Sequence, residues 1–225
     1  MSYDISMNGY TEWQIAGMAG IIAVLCFIPY TWKFLMTHFI TLAHEYGHAF
    51  LGVFTEGSIH KIKIHLDSSG ETSTYRERKF IPVGSVLTTL AGYPAPILLG
   101  SFLITSVDET WRPWSAVALL IFGLFCLLFI RNLFGLVMAL IWVGLFGSLV
   151  IFNPTNLNEI TMVAGMVFLI GGVKDMLTLC RMWFKKDADG SDLGILKEAV
   201  HFPQVFSLMV MIAISVVGSW VLLSM

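Results

Sequence analysis

Residues 34–54 read Phe34-Leu35-Met36-Thr37-His38-Phe39-Ile40-Thr41-Leu42-Ala43-His44-Glu45-Tyr46-Gly47-His48-Ala49-Phe50-Leu51-Gly52-Val53-Phe54. The run has the length and apolar character of a helix that crosses a bilayer, which needs about 20 residues. Within it lie His44, Glu45 and His48. Two histidines four apart share one helical face, so both imidazoles can reach a single zinc ion. The glutamate between them is placed to take a proton from water beside such an ion. Two His and a Glu left unpaired in lipid would cost several kcal/mol, roughly. A metal site is therefore expected here, and a structural polar cluster facing the bundle interior is the alternative.

The rest of the chain agrees with a membrane setting. Of its 225 residues, 56% are hydrophobic and only 12% are charged, about half the charged share of a soluble domain. The mean hydropathy is +0.79. The net charge of -2 and pI near 6.3 give no footprint for nucleic acid. Cys26, Cys126 and Cys180 lie in or beside apolar runs and read as small buried hydrophobes. The expected fold is an all-α polytopic membrane protein, one integral membrane domain over residues 1–225. About seven transmembrane helices are predicted, near 13–32, 34–54, 81–105, 113–130, 133–152, 160–183 and 203–224. The first follows Asp4 and Glu12 and lacks a basic start, so it reads as a retained anchor.

Two polar segments interrupt the apolar runs. Residues 55–80 alternate apolar and polar from Ser58 to Leu66, turn at Asp67-Ser68-Ser69-Gly70, and resume in β-favouring residues. This predicts a small cytoplasmic β-hairpin. Residues 184–202 form a second cytoplasmic loop, with a short helix from Leu193 to Val200 capped by Asp192. Sorting Lys and Arg over seven spans puts eleven on one side and only Lys33 and Arg112 on the other. Basic loops stay inside, so the N-terminus is expected in the cytoplasm and the protein in the cell membrane.

A catalytic zinc keeps three protein ligands and one open position, so a third ligand must come from elsewhere. His44 and His48 lie about 9–15 Å below the cytoplasmic end of their helix at about 1.5 Å per residue. The sixth span runs the same way and holds Asp175 about 12 Å deep. Asp175 is thus the predicted third ligand, with an ion pair to Lys174 or Arg181 as its alternative role. Asp192 is the reserve if its loop folds back into the membrane. Gly171-Gly172 beside Asp175 suits close approach of a helix or a substrate backbone. Pro94 and Pro96 kink the third span, as a cavity wall or as simple packing. Asn132 has an amide suited to a developing oxyanion, or to a polar helix junction.

These residues resemble a known family. His44-Glu45-Tyr46-Gly47-His48-Ala49 in a membrane helix, a glycine-containing hairpin, then Ala91-Gly92-Tyr93 is similar to the site-2 protease family of intramembrane zinc metalloproteases, in its compact B-like branch. Gly171-Gly172-Val173-Lys174-Asp175, Ser191-Asp192 and His201-Phe202-Pro203 look like later segments of that branch. The resemblance implies Zn2+ held by two His and one Asp, Glu45 as catalytic base, and Gly92 at the substrate side of the site. It implies cleavage of a membrane-protein substrate within the lipid bilayer. This chain departs from better-known members: it lacks their Gly-Pro-x-x-Asn pattern in the third span and their Leu-Asp-Gly or Asn-Pro-Asp-Gly motif. The rival functions are an inactive scaffold or receptor of the same build, and a metal or solute transporter. Clustering of the polar residues near one side disfavours a transporter, which needs a full polar path.

Overall fold

Pro94 and Pro96 cannot donate backbone hydrogen bonds, and proline is tolerated best in the first turn of a helix. The third predicted span accordingly breaks into two helices that meet at 58°, with Pro at the start of the second. The computed structural model describes residues 17, 20–21, 36–55, 59–74, 83–107, 112–152, 157–201 and 203–224. Its elements are α1 (Thr37–Thr55), β1 (Ile59–Ile64), β2 (Gly70–Thr74), α2 (Val83–Leu90), α3 (Pro94–Thr105), α4 (Arg112–Leu127), α5 (Leu133–Phe152), α6 (Leu157–Phe184), α7 (Asp192–Val200) and α8 (Gln204–Leu223). The chain is thus mostly helical, with one small antiparallel sheet.

The count of seven spans is not what these helices supply. Among the described residues, three helices (α5, α6 and α8) are long and apolar enough to cross a membrane, or four if the bent α2–α3 pair is one span. The shortfall has physical causes. α1 is 19 residues long, but its histidines and glutamate lower its hydropathy. α4 has 16 residues, short of the roughly 20 that a span requires. The span predicted at 13–32 lies outside the described residues apart from Gly17, Gly20 and Ile21. Large apolar side chains face outward along the bundle, including Leu133, Ile151 and Phe152 on α5 and Val216 and Trp220 on α8. A soluble protein rarely leaves such a band uncovered.

α1 is the central element, touching α2, α3, α5, α6 and both strands. Its Ile40, Leu42 and Tyr46 are fully buried with Trp142 of α5 in the main apolar cluster. The hairpin joins that cluster rather than lying on the surface. Ile62 and Ile64 point inward and are buried, whereas His65 and Leu66 are exposed. The turn is closed by Asp67, whose carboxylate accepts from the Ser69 amide at 3.0 Å and hydroxyl at 2.7 Å. On its other edge β1 is extended by residues 129–131: the Ile62 amide donates to Phe129 O at 2.8 Å and the Arg131 amide to Ile62 O at 3.0 Å.

A second apolar cluster pins α7. Leu193 and Leu196 are buried there with Met176 and Leu179 of α6 and Leu208 and Met211 of α8. This burial holds the N-terminus of α7 against the bundle. Gly172 serves helix packing, since a Cβ on it would come within 2.9 Å of the Ile97 backbone nitrogen on α3.

Candidate metal centre

The i, i+4 spacing in α1 brings the ring nitrogens of His44 and His48 together, Nε2 to Nε2 at 3.0 Å. Asp192, the first residue of α7, completes the group. Its Oδ2 lies 3.5 Å from His44 Nε2 and 3.3 Å from His48 Nε2. His44, His48 and Asp192 are the one metal-capable His/Cys/Asp/Glu cluster among the described residues. Asp175, predicted as third ligand, lies on the wall of the same cavity but outside this group. The carboxylate that the fold gathers with the histidines is Asp192, the reserve candidate, and not Asp175. The apolar face of α7, with Leu193 and Leu196, packs against α6 and α8, which carries Asp192 inward.

The donor set fits zinc. Tetrahedral ligands at about 2.0–2.2 Å from zinc stand about 3.3 Å apart, close to all three separations. The His48 Nδ1 N–H donates to Thr88 O at 2.7 Å. In that tautomer Nε2 presents a lone pair. It faces a second imidazole nitrogen and a carboxylate oxygen, and Asp192 Oδ2 is buried with no hydrogen bond of its own. Three electron-rich atoms converging in a buried place call for a cation. Thr88 O orients the ring as the outer partners of metal-bound histidines do.

Glu45 stays outside the metal group and is held by the hairpin. Thr72 of β2 donates its hydroxyl to Glu45 Oε2 at 2.6 Å. Gly70 lies so close to Glu45 that a Cβ would run into Oε1 and the carboxyl carbon. Gly92, in the break between α2 and α3, packs against both imidazoles, where a Cβ would overlap His48 and approach His44 Cε1 to 2.7 Å. Tyr93 next to it presents its ring edge-on to His44, centroids 4.6 Å apart. The α2–α3 break is therefore a wall of the site. Asn132 is elsewhere. Its amide donates to Ile64 O at 2.6 Å and accepts from the Ile64 amide at 3.2 Å, so it pairs with β1 like a strand backbone. Both ends pair with Ile64, and Asn132 is not among the described residues that line the cavity around the histidines.

Sequence reasoning missed Thr72, Gly70 and Thr88. Thr88 acts through a backbone carbonyl, which leaves no residue-type signal. Thr72 and Gly70 share one face of β2, so strand alternation paired with the Glu45 helix would have been the available signal. Thr72→Val should keep zinc content and lower kcat by about tenfold to a hundredfold, because a hydrogen bond to a charged group contributes about 1.5–3 kcal/mol. Thr72→Ser should recover most of the rate. Unchanged turnover in the valine variant would remove the hairpin from the chemistry.

The sequence pattern of the Peptidase M50B-like family matches residues 15–222. The chain belongs to that family. No curated protein and no solved structure matches it. Family membership and the apolar helices together mark an integral membrane protein of a peptidase family.

Proposed function

We propose that this M50B-like chain is an intramembrane zinc metalloendopeptidase. It would cleave a peptide bond in or near a transmembrane helix of a membrane-protein substrate. The carrying observation is the convergence of His44, His48 and Asp192 beside Glu45 in an apolar bundle. In this reading His44 Nε2, His48 Nε2 and Asp192 Oδ2 hold the metal. Zinc, when bound, supplies a Lewis acid that polarises the scissile carbonyl and acidifies water. Glu45 takes the proton from the attacking water and later gives it to the leaving amine. Thr72 holds Oε2, and the missing side chain of Gly70 leaves room for Oε1 beside the hairpin. A helical peptide bond is shielded by its own hydrogen bonds, so the substrate segment must unwind to enter. A cavity of about 570 Å³ surrounds these residues and gives it room.

The test is metal analysis of the purified protein together with cleavage of a membrane-helix substrate. About one zinc per chain is expected, with turnover lost on chelation and restored by zinc. A protein that carries stoichiometric zinc yet never cleaves would be an inactive relative.

Sorted over the seven spans expected from the sequence, the basic residues divide eleven to two, which supports an N-terminus in the cytoplasm with the hairpin and the 184–202 loop on that side of the cell membrane. A single cysteine at the exposed Ser69 should resist impermeant reagents in intact cells. Rapid labelling from outside would invert the orientation.

A further inference from the structure

Among the described residues, four carboxylates line the cavity: Glu45, Glu71, Asp175 and Asp192. No Lys or Arg is among its described lining residues. Three of the four have assigned partners. Glu45 receives the Thr72 hydroxyl. Asp192 faces the histidines. Glu71 sits 3.3 Å from Lys61 and receives the Ser73 hydroxyl at 3.0 Å, which together hold its carboxyl below the usual range. Asp175 has no hydrogen bond or ion pair with any described residue. Lys174 precedes it on α6 and acts on it as a neighbouring charge, without a hydrogen bond between them. The two positive charges of zinc would be matched by Glu45 and Asp192, which leaves Asp175 with only the neighbouring charge of Lys174. An ionisable group within a membrane-spanning helix is costly, and one that faces a cavity marks a substrate or ion pathway.

We infer that Asp175 is a specificity residue that receives a Lys or Arg side chain of the substrate, carried within a few residues of the scissile bond. The inference rests on the peptidase reading above. The rest of the lining suits such a guest. It is rich in hydroxyls, including Thr89 and, one turn along α6 from Asp175, Thr178. These accept hydrogen bonds from an ammonium or guanidinium group. Membrane helices carry basic residues at their cytoplasmic ends, the side that the basic loops of this chain mark as near the site. A helix unwinding from that end would bring a cation into the cavity with the bond to be cut.

The experiment uses the full chain in liposomes and three membrane-helix substrates that differ only beside the scissile bond, carrying Lys, Gln or Glu. The wild type should favour Lys over Gln by about tenfold in kcat/KM. Asp175→Asn should erase that preference while keeping zinc, and Asp175→Lys should favour the Glu substrate. Photocrosslinking of the same substrates to Glu45→Gln, with and without Asp175→Asn, reads recognition without cleavage. Asp175-dependent crosslinking of the Lys substrate by a chain that never cleaves would uphold the recognition and sink the peptidase reading alone. Equal handling of Lys and Gln, a preference that survives in Asp175→Asn, or zinc loss in Asp175→Asn would overturn the inference.

Discussion

Asp192→Ala is expected to lose zinc and all measurable turnover, while Asp175→Asn keeps the metal. Among the described residues, Asp192 Oδ2 is the carboxylate oxygen that stands within 3.5 Å of both imidazole nitrogens. Its removal leaves two ligands where a catalytic site needs three. Removing even an outer partner of a zinc ligand costs about 10–100-fold in affinity, so loss of the ligand itself should exceed that. The fold should survive, because α7 is pinned by Leu193 and Leu196 rather than by the carboxylate. Zinc content and thermal unfolding of the two variants, side by side, check this. Zinc retained in Asp192→Ala and lost in Asp175→Asn would restore the depth argument.

Glu45→Gln is expected to keep zinc and lose about 10²–10⁴-fold in turnover, the usual contribution of a general base. At 1.36 kcal/mol per tenfold this is about 2.7–5.4 kcal/mol of barrier. Glutamine preserves the shape, and its carbonyl oxygen still accepts from Thr72. What it loses is the capacity to take a proton. The variant therefore separates the base from the ligands, because a ligand would carry the metal away with it. Single-turnover cleavage measured with zinc content on the same preparation decides the matter. Wild-type rates in Glu45→Gln would end the enzymatic reading in its present form.

The helical metal motif was legible because it is local. His44, Glu45 and His48 occupy one turn, and the 3.6-residue period places them without knowledge of the rest of the chain. The break at Pro94 was legible for the same reason, since proline acts on its own backbone. The hairpin was legible from alternation and its turn residues, and its register brings Thr72 opposite Ile62. Its burial was not. That follows from where Ile62 and Ile64 find apolar neighbours on α1 and α5, and from the strand-like pairing of residues 129–132.

The sequence by itself determined the membrane class, the helix that carries His44, Glu45 and His48 on one turn, and the bend at Pro94. Only the tertiary structure decided which distant groups join them. Depth along the helices favoured Asp175, and Asp192 could join only if its loop folded back, which no periodicity reveals. The choice turned on the apolar face of α7, which buries Leu193 and Leu196 and so swings Asp192 to the histidines. The same packing sets Asp175 on the cavity wall, and Asn132 against β1 rather than in the site. Side chains fixed by their own helical turn can be read along the chain. Side chains delivered by the packing of separate elements depend on long-range burial, which sequence spacing does not encode.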